Sequence, residues 1–467
     1  MKRLQLFFVI AVLACCSGMV KSQTVNEGIY FSNLPQSNLF NPALNGNNMF
    51  YINVPVVGKL DLGFKSSGFC YIDLVPERKD DSTIVDFQGF ISKLKDDNFV
   101  DIGLVDNLFG FGFRVGKNHF SFGLSMNLEA RLDFTQDLFD LIVNGTENFQ
   151  SKNAKIFDDK FINFTSFFTA SLGYSRDVSE KLSFGANAKM YMGVFDISTD
   201  KTNISLDLSD NNKTKVLTDI HLNTSISFVD WDVIGKWLDG KDVNYSTGDV
   251  LSNAMDNIGF GIDLGFNYKL NESMQISASV VDLGYIKWAH ETNQIVSRHP
   301  NTPIDVEGIE DDFDNYDEAE EYAQDLIDTI KYAFDLKTIS GESYTTMIPT
   351  KIYLGYSWNF LKFNYFNALY KGRFINGEYE NSLMLNYSFK SRLLQLSISN
   401  TFTPYNAFNP SALVSVADFV YLGCSFSSSM MPNKADAFTV FGGVNVAFKN
   451  FKTKKVEEEA PISFLEK

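Results

Sequence analysis

The residues equipped for catalysis or metal binding are few and scattered. Four histidines occur, His119, His221, His290 and His299. Neither the His-Glu-x-x-His spacing of a zinc protease nor a Gly-x-Ser-x-Gly elbow is present. His290-Glu291 with His299 offers metal-binding side chains, but the spacing fits no helical ligand pair, so a loop histidine pair is the expectation. An enzyme at a barrel rim would have to bring His119, His221 or His290 to a distant Ser or Asp, an arrangement that leaves no local motif. Gly110 and Gly112, and Gly259, Gly261 and Gly265, fall inside expected strands without the helix start that a phosphate loop requires. They read as glycines of a crowded interior or of bulges. No catalytic, cofactor-binding or metal residue is assigned, and a non-enzyme is expected.

The stretch from Asp305 to Asp328 is dense in carboxylates. Calcium takes several such ligands, yet no glycine stands where an EF-hand-like loop turns sharply. Ala319, Tyr322, Ala323, Leu326, Ile327, Ile330, Ala333 and Phe334 recur at three and four, with Asp314 or Asn315 as N-cap. The expectation is an amphipathic helix of about 20 residues whose acids face water. Tyr322, Leu326, Ile330 and Phe334 would turn toward the barrel mouth or a partner.

Elements that would hold such groups start with an export signal. Lys2 and Arg3 precede an apolar run from Leu4 to Ala14 that is too short to span a bilayer, and cleavage is expected near Ser22. A lipoprotein box ending at Cys15 is the alternative. Beyond Ser22 no apolar stretch is long enough for a membrane helix, which leaves a soluble chain or a barrel. With Cys15 and Cys16 in the signal, Cys70 and Cys424 allow one disulfide and imply none. The net charge of −17 argues against nucleic acid. Forty-four Phe and 20 Tyr suit aromatic girdles at two lipid interfaces.

The dominant pattern is a period of two. From His119 to Leu132 every second residue is apolar (Phe120, Phe122, Leu124, Met126, Leu128, Ala130, Leu132), and polar residues or Gly lie between. Ile258 to Leu270 repeats it. Asn163–Arg176, Leu182–Phe195, Val216–Ser227, Lys351–Phe360 and Ala437–Lys449 follow with small lapses. Turns at Gly116-Lys117-Asn118, Asp177–Lys181, Asn271-Glu272-Ser273 and Lys390-Ser391-Arg392 join alternating runs. Long connections at 133–162, 229–257 and 287–347 lie between others. Tight turns at one end and long loops at the other predict a transmembrane antiparallel β-barrel of about 14 strands, within roughly 12 to 16. The alternation is weakest around 202–208, 363–370 and 412–426. A secreted β-sandwich also alternates, but its strands are shorter, and here the polar face is Gly, Ser and Asn rather than Lys and Glu.

The domain reading is therefore a signal peptide at 1–22, an irregular segment at 23–58, a barrel at 59–449 and a periplasmic tail at 450–467. In the irregular segment Leu34-Pro35, Asn41-Pro42-Ala43 and Asn45-Gly46 exclude a regular strand. Leu34, Leu39, Phe40 and Leu44 need burial, so Leu34, Leu39, Phe40, Asn41, Pro42, Ala43 and Leu44 are candidates for a plug in the lumen, with a periplasmic extension as the alternative.

Asn41-Pro42-Ala43 resembles an element near the mature start of many Bacteroidota outer-membrane barrels. Together with Leu60–Phe69, Ser279–Trp288 and Tyr344–Lys351, it makes most of the mature chain resemble one uncharacterised Bacteroidota outer-membrane β-barrel family. More distantly, through Asn-Pro-Ala and Asp-Leu-Gly, the chain is similar to FadL-like transporters and to the PorV-like and PorP-like barrels of type IX secretion. Gly443, Val446 and Phe448 resemble the terminal signal read by the barrel-assembly machinery, although Phe441 stands where that signal carries a polar residue. These resemblances imply outer-membrane lipid and lipopolysaccharide as surroundings and the assembly machinery as a partner. They also imply passage or binding of a hydrophobic small molecule, or an accessory role beside a secretion-system protein. A greasy surface between plug and inner wall would favour the first; a wholly polar lumen would oppose it.

Overall fold

The computed structural model describes residues 27–44, 48–55, 57–76, 85–144, 153–159, 161–210, 213–226, 254–300, 304–307, 336–375, 378–403, 406–427, 429 and 431–449. The strands are β1 (Asn48–Asn53), β2 (Leu60–Ser66), β3 (Asp97–Val115), β4 (Asn118–Thr135), β5 (Asn153–Asp159), β6 (Ile162–Asp177) and β7 (Leu182–Asp210). Then come β8 (Lys213–Ile226), β9 (Ile258–Lys269), β10 (Met274–Trp288), β11 (Thr292–Ser297), β12 (Ile304–Glu307), β13 (Leu336–Ser340) and β14 (Tyr344–Met347). The chain ends in β15 (Thr350–Leu361), β16 (Asn364–Ile375), β17 (Glu378–Lys390), β18 (Leu394–Phe402), β19 (Pro410–Val416), β20 (Val420–Ser427) and β21 (Ala437–Lys449).

β1 and β2 are two halves of one wall strand, since both pair with β3 on one side and β21 on the other. The ring runs from there through β3, β4, β6, β7, β9, β10, β15, β16, β17, β18, β19, β20 and β21, every step antiparallel. Fourteen strands thus close the wall without an edge. The wall opens at Asn48 rather than at the expected Lys59, because Asn48–Asn53 already finds ladder partners.

The alternation has a direction, greasy side out. In β9, Leu264 is 50% exposed while its neighbour Asp263 is fully buried. Likewise Phe260, Ile262, Leu172, Ile398 and Leu422 are exposed, and Ser277, Asn367, Asn386, Ser397 and Asn445 are buried. A soluble sandwich buries its apolar face; only a lipid solvent makes this reversal favourable, which sets the chain down as a transmembrane barrel. No described helix is long and apolar enough to cross a membrane.

The tight turns share one end with the start of β1 and the end of β21. Gly116 adopts φ 61° in the β3–β4 turn, and Ala417 and Asp418 adopt 54° and 58° in the β19–β20 turn. Two consecutive positive φ values give a hairpin turn the twist of its strands. At this end Phe113, Phe120 and Tyr174 form a row of ring contacts, 5.5 and 5.4 Å between centroids, as an interfacial girdle does.

The opposite end departs from plain loops. β7 continues past the ring and pairs with β5 and β8; β11 and β12 pair with β8, and β13 with β11. Of the segment 216–227, expected as wall, the described residues 216–226 lie in this extension, because period two marks any sheet with one buried face. The 133–162 connection holds a helix, Gln136–Asn144, as well as β5. β11 to β14 lie within 287–347. The amphipathic helix with Tyr322, Leu326, Ile330 and Phe334 falls outside the described residues. So do the signal peptide with its Ser22 cleavage and Cys15 alternative, the tail at 450–467, and most of 229–257.

Candidate functional site: a charged lumen over a buried N-terminal segment

Residues 27–44 lie against the inner wall and are nearly all buried. Their apolar side chains Ile29, Tyr30, Phe31, Leu34 and Phe40 pack on inward-facing Val281, Tyr353, Leu369, Met384, Leu413, Tyr421 and Phe441. Leu39 and Leu44 border this cluster. These wall residues break the polar alternation of the lumen face, and they do so where the segment needs an apolar surface.

Polar groups fix the segment around the circumference. Asn41, fully buried, donates from Nδ2 to the carbonyls of Phe266 and Ala278 and to the Tyr30 hydroxyl, each at 3.2 Å. Its Oδ1 accepts from Ala43 N–H at 2.9 Å, an Asx turn that Pro42 accommodates. A Cβ on Gly185 would come within 2.3 Å of the Pro42 carbonyl, and one on Gly265 within 2.1 Å of Asn41 Oδ1. The glycines of β7 and β9 are thus the floor on which Asn41-Pro42 rests. Elsewhere Gln36 Nε2 donates to Asn445 Oδ1 at 2.5 Å, Ser279 Oγ to Phe40 O at 2.6 Å and Asn38 Nδ2 to Tyr51 OH at 3.1 Å. Lys371 Nζ lies 2.5 Å from Glu27 Oε1, and Lys390 bonds the Phe31 carbonyl.

Above the segment a cavity of about 230 Å³ opens in the lumen. Leu39, Phe40, Val281 and Tyr353 give it one apolar side, and charged side chains dominate the rest. Lys59, Lys65, Arg131, Lys189, Lys351, Lys371 and Arg373 line it against Asp61, Asp101, Glu129 and Asp282, so seven cations face four anions. Most are paired. Arg131 holds Asp133 through two bonds of 2.8 Å, and Arg373 lies 3.5 and 3.6 Å from Glu129 and Glu380. Lys189 bridges Asp263 at 2.8 Å and Asp282 at 2.6 Å, and Lys351 reaches Asp282 at 2.8 Å. Lys65 Nζ is shielded from solvent with no hydrogen-bond partner, 4.7 Å from the Phe99 ring. Arg373 Nε also lacks an acceptor. The lumen is therefore neither greasy throughout nor wholly polar.

Sequence reasoning missed the whole charged set, and also Glu27, Ile29, Tyr30, Phe31, Gln36 and Asn38 of the segment. Lys59–Asp61 and Arg131–Asp133 are local pairs, but Lys189, Lys351, Lys371 and Arg373 find their partners on other segments and leave no local motif.

The terminal-strand residues separate by face. Gly443 packs so tightly that a Cβ would sit 2.2 Å from the Gly58 carbonyl, while Val446 and Phe448 are exposed on the outer face. Phe441 points inward and packs with the N-terminal segment. Among the histidines, His119 is buried and stacks on Tyr51 near the turn end. His221 lies 3.2 Å from Asp219, and His290 lies 3.6 Å from Asp256 and 3.8 Å from Glu291. Cys70 and Cys424 are both free.

A family model described as "Family of unknown function (DUF5723)" matches residues 42–423. No curated protein sequence matches the chain. Among solved structures, a TodX deltaS2S3 mutant monoaromatic hydrocarbon channel is similar at 10% identity, covering 92% of this chain and 96% of that one, with a TM-score of 0.42. The Ralstonia pickettii toluene transporter TbuX is similar at 10% identity over 89% and 94%, TM-score 0.42. A Pseudomonas aeruginosa FadL homologue gives 11% identity over 92% and 99%, TM-score 0.26.

Proposed function

This chain belongs to the DUF5723 family of unknown function, and we propose that it is a non-enzymatic outer-membrane barrel whose lumen binds, and passes, a small amphipathic molecule. The observation that carries this reading is the two-sided cavity. Leu39, Phe40, Val281 and Tyr353 would hold an apolar body, and Lys65, which lines the same cavity without a hydrogen-bond partner, would take an anionic group. A shielded ammonium without an acceptor is costly, and a ligand carboxylate or phosphate removes that cost. Residues 27–44 act as the plug that closes the lumen beneath the ligand, and passage requires part of it to shift. The outward apolar belt supports outer-membrane location.

The test is flux into proteoliposomes. Wild-type protein should admit a medium-chain carboxylate faster than protein-free vesicles do, and Lys65→Met should abolish that gain. Carboxylate entry equal to that of protein-free vesicles would reject the reading.

The extension built on β7 favours a second reading, an accessory role in protein secretion or surface assembly in which this sheet docks a protein. That version expects a stoichiometric protein partner and no lumen ligand.

A further inference from the structure

A second concavity lies on the other side of the wall. On the lipid face of β6, β7, β9, β10 and β15 an apolar groove of about 740 Å³ is lined by Tyr174, Phe184, Leu264, Phe266, Val280 and Leu354. Its floor is set by two small outward residues. Ala186 pairs across to Tyr174 and Leu264, and Ala278 pairs to Phe266 and Leu354. Large side chains therefore stand on both sides of each alanine. The floor cannot yield inward, because Asn41-Pro42 is packed against Gly185 and Gly265 on the lumen side.

The groove begins at the turn end of the barrel, and Arg176 stands on its rim there, exposed. Among the described residues no ion pair or hydrogen bond from the Arg176 side chain is present, and the carboxylate of Asp177, the next residue in the chain, is held by Arg114. An unpaired guanidinium at the edge of an apolar trough, level with the aromatic girdle, complements a phosphate above an acyl chain. Arginine is suited to that task by its fork of donors. We infer that the groove is a specific phospholipid site: one acyl chain lies over Ala186 and Ala278, and the lipid phosphate is held by Arg176.

The chemistry separates this occupant from a lumen ligand, and the site stands or falls apart from the function proposed above. The experiment is native mass spectrometry of the full-length mature protein, delipidated in mild detergent and titrated with dioleoyl phosphatidylethanolamine. Wild-type protein should retain one lipid at concentrations where further adducts are absent. Arg176→Ala should weaken that first adduct about tenfold, the loss of one charge-assisted contact. Ala186→Leu with Ala278→Leu fills the trough on a face where apolar bulk is tolerated, and should remove the adduct. Heat-modifiable mobility on gels confirms that both variants fold. Retention unchanged in either variant, or loss in the filled groove with no effect of Arg176→Ala, would overturn the assignment.

Discussion

Asp282 and Lys351 stand 69 residues apart in the chain and meet in the lumen with Oδ2 2.8 Å from Nζ. Asp282 is held in the left-handed region, φ 60°, at an irregularity in the pairing of β10 with β9. Its N–H, without a ladder partner there, donates to Asp263 Oδ1 at 2.8 Å. Lys189 then joins both carboxylates, so two lysines and two aspartates form one closed group. Removing Lys351 leaves the largely buried Asp282 with Lys189 alone, which it shares with Asp263, at a cost of about 1–3 kcal/mol. Lys351→Met should accordingly lower the urea midpoint of the purified barrel, and adding Asp282→Asn should recover part of the loss. A midpoint unchanged in Lys351→Met would show that the group carries no stability.

Anchoring of the N-terminal segment turns on Asn41. Asn41→Ala deletes the donors to the Phe266 and Ala278 carbonyls and leaves both without that partner, a loss of about 2 kcal/mol. Hydrogen exchange over 27–44 should accelerate while β9 and β10 stay protected. Gly265→Ala should act likewise through its clash with Asn41, whereas Gly103→Ala, with nothing within 4 Å of the added carbon, should be silent. Equal behaviour of the two glycine variants would contradict the close approach.

Orientation of the wall is open to a simple charge test. Ile262→Arg places a cation on the lipid face and should cost about 2–4 kcal/mol, seen as lost assembly into the outer membrane. Ser125→Arg, on the lumen face where it lines the cavity, should still fractionate with the membrane. The reverse ranking would invert the barrel.

Cys70 lies beyond the wall at the long-loop end, between β2 and β3. Burial, and then the Asp73 carboxylate 3.0 Å from Sγ, push its thiol up to about 11. The reactive thiolate is therefore scarce at neutral pH and grows as pH rises toward that value. Alkylation at pH 7.5 should be slow and should quicken in Asp73→Asn. Rapid wild-type labelling at neutral pH would show the thiol to be free of Asp73.

What the sequence discloses depends on how local the signal is. Alternation in β9 declares both faces of that strand, and hence the class of solvent outside. The same alternation in β8 does not say whether the strand belongs to the wall, because period two reports one buried face and no more. The weak stretches at 363–370 and 412–426 carry a meaning: they contain Leu369, Leu413 and Tyr421, inward residues that are apolar because the N-terminal segment covers them. Phe441, inward on the last strand, is apolar for the same reason. Burial of Leu34 and Phe40 was legible from their need for a partner. The charged lumen was not, since register and an irregularity in β10 bring Lys189, Asp263, Asp282 and Lys351 together across four strands.

What the lumen holds decides the function most directly. Isothermal titration of the delipidated protein with decanoate and with decanol compares two ligands that share an apolar body and differ in charge. Decanoate should bind at one site per chain, about tenfold tighter than decanol, with the difference lost in Lys65→Met. Equal affinities in the wild type, or a preference that survives Lys65→Met, would contradict the proposed function.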